Sequence, residues 1–552
     1  MRRIFMKSFS RRTFLKVAGT TAGVAAVKPQ SVVASMEKPL IIKCFTPDGK
    51  PMPKEKLEPM ILYDPQQDPF NRSLINVRDG VVLFWIPDKP FCPSIPFPVT
   101  NYGSTWVHVD NGGDGYAPDS VPNPFHFNFE FAKSRALDVR RYVDKHLQRG
   151  CVFSGELLRR LESAEIFVRK ASAAKDDIEK ARLSDTSLTD SMWAGDMAVF
   201  EKAKYDISRL GYRKEFKIGC NGFLLNQLPD SFIFNKKWIP YYPYEGEQLR
   251  EIERAFERLC NFVTLPFYRI GVEWEQGNYN TTHIDRILEW LSTRNITPKG
   301  HPLVWLNNWG YPPWMLNYSY DEAVKSHKKY ILDMVGKYKD RIKIWDVINE
   351  ANDVENYLYP FEKLIDITRV AVETTKLADP SARTVVNVNT PFSEHAAYEN
   401  PRMTRDIKST LTYFRELANA KVPWDVTGIQ HYWYGRDMFE MDKHLDIFGQ
   451  FGKPVHISEI GVSSNSVPDE RDRAASRNVY HWHGNEWTEA IQADWAEQFY
   501  TICYSKPHLE ALTWWDLQEG FWAHGGLLRK DLSPKPAYFR ILSLRESWEK
   551  MK

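Results

Sequence analysis

The chain has almost no net charge, because its 73 lysines and arginines are balanced by 71 aspartates and glutamates. This balance gives no electrostatic basis for binding nucleic acid or a membrane surface. The six cysteines include no C-x-x-C pair, which argues against a structural zinc site or a thioredoxin-like redox site. The sequence has neither a phosphate-cradling glycine loop nor a clustered set of histidine ligands, so we predict no metal and no organic cofactor. His481 and His483 lie close together, but a metal site there is the less favoured interpretation.

Long apolar runs are also missing. No stretch after the N-terminal region approaches the roughly 18 uninterrupted apolar residues that a membrane-spanning helix needs. Residues 10–16, S-R-R-T-F-L-K, precede an apolar stretch at 17–27 and resemble a twin-arginine export signal, with a small-residue cleavage site at 32–34. We therefore expect residues 1–36 to direct export, and the mature protein to be soluble and periplasmic or extracellular. Whether the leader is cleaved stays open.

What the chain has in abundance is aromatic side chains, 14% of the total, including 19 tryptophans. Tryptophan offers flat apolar faces on which sugar rings stack, but it also fills ordinary cores. Composition therefore permits a carbohydrate-binding role without requiring one.

The composition and the spacing of apolar residues change twice along the chain. Residues 37–132 have short apolar runs between Pro, Gly, Asn and Asp, which predicts a small β-rich, sandwich-like domain. Residues 133–212 have helical spacing. The β-rich region is either a carbohydrate-binding module, with Trp85, Trp106 or Tyr116 as platforms, or a structural domain packed on its neighbour. The absence of a flexible linker slightly favours the structural alternative.

Residues 213–552 alternate eight times between short apolar runs and amphipathic helical segments, which predicts an α/β fold, a (β/α)8 TIM barrel. The predicted strands begin at 216–219, 267–270, 297–301, 342–347, 384–387, 426–429, 454–457 and 511–514. Active sites of such barrels lie at the C-terminal ends of the strands. The polar and aromatic residues that follow the predicted strands are Glu273, Trp274, His301, Trp305, Asn349, Glu350, Gln430, His431, Tyr432, Glu459 and Trp515.

Two carboxylates stand out in this set, because Glu350 and Glu459 end strands four and seven and can face each other across the barrel mouth. Glycoside hydrolysis needs such a pair, about 5 to 5.5 Å apart for a retaining mechanism and about 6.5 to 9.5 Å for an inverting one. Each alone could be an ordinary strand-end ion pair. Their joint placement among aromatic residues favours the chemical role.

Residues 345–351, W-D-V-I-N-E-A, resemble the acid/base motif of family 10 glycoside hydrolases, the xylanase family. Residues 300–305, G-H-P-L-V-W, are similar to the family's G-H-T-L-V-W, and I-S-E-I at 457–460 to its nucleophile segment. The closing pattern is also similar, with T-W-W at 513–515, G-G-L-L at 525–528 and P-K-P-A-Y at 534–538. The resemblance spans about residues 214–552. The wider clan of retaining barrel glycosidases shares the two glutamate motifs more loosely.

The resemblance implies roles for individual residues. Glu350 would be the acid/base, Glu459 the nucleophile and Asn349 a hydrogen-bond donor to the sugar 2-hydroxyl, while His431 would contact the nucleophile. A donor beside Glu459 would keep it ionised, whereas Glu350 must hold a proton. The residues expected to bind substrate are His301, Trp305, Glu273, Trp274, Gln430, Tyr432, Trp515 and Trp522.

Several positions depart from the family pattern. Residues 272–275 read V-E-W-E where the family has M-K-W-E, and Leu306 replaces a second histidine; both positions are expected near the sugar on the non-reducing side. The segments 387–390 and 428–431 also differ from the family pattern. Glu273 could bind a sugar hydroxyl, pair with a base such as Arg269, or repel an acidic glycan. Trp274 is either a sugar platform or a packed strand end.

These observations predict a retaining, endo-acting glycoside hydrolase that cleaves a β-1,4-linked polysaccharide, most favourably xylan, through a covalent glycosyl-enzyme. One alternative is a retaining glycosidase of the same clan that acts on another glycan. Another is a carbohydrate-binding barrel without turnover. The expected partner is the polysaccharide, and the oligomeric state is not predicted.

Overall fold

The computed structural model describes residues 39–70, 74–225, 244–307, 310–353, 359–389, 391–393, 396, 408–432, 435–467, 480–484, 486–519 and 524–552. The predicted export signal and Trp522 lie outside these residues. No helix within the described ranges is long and apolar enough to cross a membrane. All six cysteines are described, and each is a buried free thiol.

The N-terminal region begins with short strands. They are β1 (Pro39–Lys43), β2 (Ile61–Tyr63), β3 (Pro69–Phe70), β4 (Leu74–Arg78), β5 (Val81–Trp85), β6 (Cys92–Val99), β7 (Gly103–His108) and β8 (Phe125–His126), with helix α1 (Lys54–Leu57) after β1. In the described residues they form two four-stranded sheets, ordered β4-β5-β1-β8 and β3-β2-β6-β7. Strand β5 alternates buried and partly exposed residues, as expected for a strand with one face on a core. The β-rich character of this region is as predicted.

Three long helices follow: α2 (Phe127–Leu147), α3 (Gly155–Ala173) and α4 (Asp177–Leu210). Ser154 caps α3 by accepting from the Leu157 N–H, and Asp176 caps α4 by accepting from the N–H groups of Ile178 and Glu179. The connection between α3 and α4 is short, so the two helices form a hairpin. Helix α2 starts before the boundary predicted at residue 133, and the predicted domain limits as such stay a prediction.

The barrel strands are β9 (Lys217–Asn221), β10 (Phe262–Pro266), β11 (Thr297–His301), β12 (Ile344–Asn349), β13 (Arg383–Val388), β14 (Val426–Tyr432), β15 (Val455–Gly461) and β16 (Leu509–Trp514). The helices are α5 (Gly246–Leu259), α6 (Arg269–Val272), α7 (Thr282–Leu291), α8 (Tyr320–Tyr338), α9 (Phe361–Ala378), α10 (Thr410–Asn419), α11 (Met438–Gly449), α12 (Glu489–Ser505) and α13 (Pro536–Glu549). All neighbouring barrel strands run parallel, and β16 pairs with β9 to close the barrel. The predicted (β/α)8 barrel is confirmed.

The prediction for strand two is wrong. Strand β10 is Phe262–Pro266, and the segment predicted as a strand at 267–270 leads into the short helix α6. Both segments are short apolar runs, and periodicity alone does not distinguish a buried strand from a helical turn. Strand pairing distinguishes the two segments, because 262–266 pairs in parallel with β11 and 262–264 also pairs with β9.

The barrel strands are buried along almost their whole length, and in β14 and β15 every residue is buried. Inward side chains fill the barrel and outward ones pack under the helices, which explains continuous apolar runs rather than alternation. Gly300 in β11 has a specific steric role, since a Cβ there would lie 2.3 Å from the ring of Trp345. Glycine at this position therefore lets β11 approach β12, which carries the acid/base motif.

Candidate active site

Two carboxylates lie at the C-terminal ends of two parallel barrel strands, β12 and β15, which are separated by β13 and β14. Glu350 directly follows β12, and Glu459 is near the end of β15. Glu350 has a left-handed backbone conformation, with φ of 53°, and its N–H donates to the Asn387 carbonyl at 2.8 Å. A left-handed non-glycine residue is uncommon and is often found at functional sites. Here the hydrogen bond to β13 holds Glu350 in that conformation at the strand end.

The Glu350 carboxyl group accepts two side-chain hydrogen bonds. Trp305 Nε1 donates to Oε2 at 3.1 Å, and Gln430 Nε2 donates to Oε1 at 2.5 Å. Desolvation raises the pKa of Glu350 to about 8, helped by the negative charges of Asp353 and Glu459 and opposed by the two donors. Glu350 is thus largely protonated at neutral pH, as a general acid must be.

Glu459 is buried, and its Oε2 accepts a hydrogen bond from the Tyr432 hydroxyl at 2.6 Å. Desolvation raises the pKa of Glu459 to about 7, while the Tyr432 hydrogen bond and the positive charge of Lys299 lower it. Glu459 therefore loses its proton at lower pH than Glu350. The pKa of Glu350 is the higher of the two, as predicted, but burial raises the pKa of Glu459 as well, so Glu459 is only partly ionised at neutral pH.

The predicted contact between His431 and the nucleophile is wrong, because Tyr432 makes it instead. Side chains alternate along a strand, so Gln430 and Tyr432 face the site and His431 points the other way. The His431 ring lies 5.0 Å from that of Phe499 on α12, and neither ring nitrogen has a hydrogen-bond partner in the described part of the chain. Burial lowers its pKa to about 4, so the ring is neutral. The period of two in β14 was a signal that could have identified Tyr432.

Gln430 connects the two carboxylates. It is the register partner of Glu459 in the β14–β15 ladder, and its side-chain amide donates to Glu350. The charge of Glu459 is also among the causes of the raised Glu350 pKa, so both carboxyl groups face the same space. The predicted separation of about 5 to 5.5 Å stays a prediction.

Asn349 is oriented by the neighbouring strands. Asn387 Nδ2 on β13 donates to Asn349 Oδ1 at 2.7 Å, and Ser458 Oγ on β15 donates to Asn387 Oδ1. With its oxygen engaged, the Asn349 amide presents its N–H groups as donors. This orientation is compatible with the predicted contact to a sugar hydroxyl, which stays a prediction.

His301 lies in a buried hydrogen-bond network. Its Nδ1 lies 2.6 Å from Asp346 Oδ2, and its Nε2 lies 3.2 Å from the Tyr268 hydroxyl. Lys299 adds an ion pair to the same carboxylate oxygen at 2.9 Å. Protein groups thus engage both ring nitrogens in this structure, and the contact of His301 with sugar stays a prediction. The sequence analysis missed this buried network, although Lys299 and Asp346 lie on the motif-bearing strands.

Protein groups contact both carboxylate oxygens of Glu273, and its contact with sugar stays a prediction. Arg269 Nη2 lies 2.7 Å from Oε2, and the Gly277 N–H donates to Oε1 at 2.8 Å. Glu273 is 3% exposed and Arg269 is 4% exposed, so this is a buried ion pair. The Arg269 alternative is therefore confirmed, and its cause is the helical turn α6, which brings residues i and i+4 together. Trp274 is 57% exposed, which excludes a packed strand end and leaves a sugar platform as a prediction.

Trp305 and Trp515 are nearly buried. The Trp305 ring lies 5.6 Å from that of Tyr268, and the Trp515 ring lies 5.6 Å from His301 and 5.4 Å from Phe223. These contacts hold the two tryptophans beside the buried network of His301 and Tyr268. Their contact with sugar stays a prediction.

Comparison with known proteins identifies the family. Residues 268–544, half of the chain, match the model of glycosyl hydrolase family 10. The chain is 24% identical over 295 residues to endo-1,4-beta-xylanase B of Thermotoga neapolitana, covering 50% of this chain and 77% of that protein. It is 27% identical over 212 residues to endo-1,4-beta-xylanase A of Caldicellulosiruptor saccharolyticus, covering 36% and 58%. The crystal structure of native xylanase 10B from Thermotoga maritima is 19% identical with a TM-score of 0.45, covering 63% of this chain and 98% of that one. The chain belongs to glycosyl hydrolase family 10, and it is a glycoside hydrolase.

Proposed function

We propose that this protein cleaves a β-1,4-linked polysaccharide internally, with xylan as the substrate and with retention of anomeric configuration. The observation that carries the proposal is the pair Glu350 and Glu459, whose pKa values lie in the order that acid and nucleophile require. The related proteins named above are endo-1,4-beta-xylanases, which supports the choice of glycan.

In the first step, the Glu459 carboxylate attacks the anomeric carbon while the bond from that carbon to the leaving oxygen breaks. Glu350 donates its proton to the leaving oxygen, and the sugar becomes an ester of Glu459. In the second step, Glu350 takes a proton from water, and the water oxygen displaces Glu459 at the same carbon. Two inversions give net retention.

The electrostatics of the pair suit this sequence of steps. Repulsion between Glu350 and the Glu459 carboxylate raises the pKa of Glu350 before the first step. Formation of the ester removes the negative charge of Glu459, so this contribution disappears and the pKa of Glu350 falls. Glu350 therefore changes from an acid to a base without moving.

The surrounding polar groups have complementary roles in the proposal. Tyr432 would stabilise the charge on Glu459, and Gln430 and Trp305 would orient the Glu350 carboxyl group. Asn349 would donate to the hydroxyl next to the anomeric carbon. Each contact fixes a reacting group before substrate binds, which lowers the reorganisation needed in the transition state.

A different β-glycan is the second candidate, and one observation favours it. Where the family has a sugar-binding lysine, this chain has Glu273, which is locked in its ion pair with Arg269. Leu306, in place of the second histidine, is buried and apolar. The sugar on the non-reducing side therefore meets fewer polar groups here. A barrel that binds glycans without turnover is disfavoured, because it would have no need for the hydrogen-bonded carboxylate pair.

We also propose that residues 1–36 direct export through a twin-arginine pathway, so that the enzyme meets its polysaccharide outside the cytoplasm. The support is the S-R-R-T-F-L-K segment followed by an apolar stretch. Fractionation of cells that express the wild type or an Arg11→Lys, Arg12→Lys variant tests this proposal. Retention of the variant in the cytoplasm would support it, and equal export of both proteins would contradict it.

The main experiment compares the wild type with Glu350→Gln and Glu459→Gln on xylan, β-glucan, mannan and algal polysaccharides, with products resolved by size. Glu416→Gln, on the exposed side of α10, is the matched control for the loss of a carboxylate. We expect xylo-oligosaccharides of several lengths from the wild type and the control, and none from the two site variants. NMR of the first products should show the β-anomer. Products from every glycan except xylan would reject the substrate, and the α-anomer would reject the retaining mechanism.

A further inference from the structure

The N-terminal region contacts the loops that follow the catalytic strands. The Trp106 N–H on β7 donates to the Gly435 carbonyl, after β14, at 2.6 Å. The His481 N–H, in the segment between β15 and α12, donates to the Ser104 carbonyl at 2.8 Å. Because the barrel is parallel, these loops lie at the same end as Glu459. Strand β7 therefore packs on the catalytic end of the barrel.

A buried carboxylate on α4 ties the same two loops together. Asp196 is 1% exposed, and its Oδ1 accepts from the N–H groups of Met438 at 2.9 Å and Phe439 at 3.3 Å, at the start of α11. Its Oδ2 accepts from Trp482 Nε1 at 3.1 Å and lies 2.9 Å from His483 Nε2, between β15 and α12. One side chain thus bridges the segments after β14 and β15.

Neighbouring contacts strengthen the attachment. Arg135 on α2 is buried and forms a bidentate pair with Asp437, at 2.9 and 3.0 Å, while Asp437 caps α11 by accepting from the Glu440 N–H. Thr105 Oγ1 on β7 donates to the Gly435 carbonyl. The chain just after β14 is therefore held from α2, α4 and β7 together.

We propose that Asp196 is a positioning residue for the glycosidase reaction: it fixes the loops after β14 and β15 and so keeps Tyr432 in contact with Glu459. The inference rests on the proposed function of Glu459 as nucleophile. Tyr432 ends β14 and Glu459 lies on β15, so their 2.6 Å hydrogen bond depends on how these two strand ends are held. Asp196 is a buried charged group that bonds to the chain beyond both ends.

This inference changes the role of the N-terminal region. A carbohydrate-binding module that acts by recruiting substrate would not need buried charged groups on the catalytic loops. Here residues on α2, α4 and β7 complete the support of the active site. The region belongs to the catalytic unit, and its removal should abolish turnover even of small soluble substrates.

The test depends on which groups surround the carboxylates of Glu459 and Asp196. Tyr432, Lys299, Asp346 and Asp516 influence the pKa of Glu459. The groups facing Asp196 are Tyr102, His483, Trp482, the start of α11 and the Arg135–Asp437 pair. Loss of Asp196 acts on Glu459 through Tyr432 if the proposal holds. A direct electrostatic effect would not depend on Tyr432.

The test compares Asp196→Asn with Asp185→Asn, a matched control on the same helix. Asp185 is also buried, but it accepts from the Thr100 N–H within the N-terminal region, at 3.4 Å. For Asp196→Asn we expect kcat/KM per folded molecule on xylan to fall by about tenfold or more, since small displacements of reacting groups are costly. Its acidic pH limb should move to higher pH, and Asp185→Asn should keep both wild-type values.

A double variant separates positioning from a purely structural role. In the Tyr432→Phe background, Asp196→Asn should cause no further shift of the acidic limb, because the contact it supports is already absent. A further upward shift of the acidic limb in the double variant would overturn the proposal. So would an Asp196→Asn variant whose acidic limb and kcat/KM both equal those of the wild type. If Asp196→Asn does not fold, Thr105→Val is judged by the same criteria, since it removes a separate hydroxyl donor to the Gly435 carbonyl.

A measurement without turnover keeps this inference apart from the proposed function. Titration of the 13C-labelled Glu459 carboxyl by NMR, assigned with Glu459→Gln, reports the Tyr432 contact directly. An upward shift in Asp196→Asn but not in Asp185→Asn supports the positioning role even if the wild type cleaves none of the tested glycans. If the wild type is active and the Glu459 carboxyl group titrates in Asp196→Asn as it does in the wild type, the inference is refuted and the proposed function is unaffected.

Discussion

Replacement of Tyr432 by phenylalanine should move the acidic limb of the pH profile upward. The variant keeps the ring, which packs near Gly461, and removes the hydroxyl that donates to Glu459 at 2.6 Å. This hydroxyl stabilises the ionised form of Glu459, so its loss raises the pKa of Glu459 above about 7. The nucleophile must be ionised to attack, and activity on the acidic side should therefore fall.

The size of the shift follows from the strength of the hydrogen bond. A hydrogen bond to a charged group contributes about 1.5 to 3 kcal/mol. Because 1.36 kcal/mol corresponds to one pKa unit, the acidic limb should move up by about 1 to 2 units. At a pH well below the limb, kcat/KM should fall by about tenfold to hundredfold, in proportion to the lost ionised fraction.

The assay measures kcat/KM on a soluble chromogenic xylo-oligosaccharide across the pH range. Tyr413→Phe is the matched control, because Tyr413 is also buried and its hydroxyl contacts Thr368 between α10 and α9, away from the site. We expect the acidic limb of the Tyr413→Phe control to lie at the same pH as that of the wild type. An unshifted limb in Tyr432→Phe would refute the proposed effect of Tyr432 on Glu459, and an equal loss at every pH would show that the hydroxyl acts on another step.

Three further predictions follow from the geometry. The wild-type kcat/KM should be bell-shaped in pH, with limbs near the pKa values of about 7 for Glu459 and about 8 for Glu350; a maximum in strongly acidic solution would contradict both values. Glu273→Gln should lower the free energy of unfolding by about 3 kcal/mol in urea titrations, since it leaves a buried arginine without its charge partner; a raised KM with unchanged stability would instead indicate sugar binding. Gly103→Ala should destabilise by about 2 kcal/mol, because φ is 140° and a Cβ would lie 2.2 Å from a carbonyl oxygen. The control Gly113→Ala has positive φ without a contact within 4 Å, and an equal loss there would show that backbone strain rather than the clash is responsible.

The order of motifs along the chain was sufficient to predict the barrel and its two glutamates. Glu350 and Glu459 each follow an apolar run long enough to be identified as a buried strand, and the C-terminal end of a barrel strand is where catalytic groups lie. The prediction for strand two was wrong because residues 262–270 are mostly apolar, and only strand pairing shows where the strand stops. This error also made Glu273 appear as a strand-end residue, whereas it pairs with Arg269 across a helical turn.

The sequence alone did not predict contacts between segments that are distant along the chain. The sequence did not predict that the two ring nitrogens of His301 lie against Asp346 and Tyr268. Asp196 lies on the long helix α4, where a solvated position is the usual expectation for a charged residue. Its burial against the start of α11 depends on how α4 packs on the barrel, and no local pattern reports that packing.

The sequence by itself determined the barrel and the family, and it predicted the two carboxylates that we propose to react, because short apolar runs and short motifs are local properties of the chain. The tertiary structure decided which neighbour contacts each carboxylate: Tyr432 rather than His431 on Glu459, and Trp305 with Gln430 on Glu350. It also brought Asp196 against the loops after β14 and β15. The pKa values of Glu350 and Glu459 depend on burial and on charges from several strands, so they arise only when the barrel has closed.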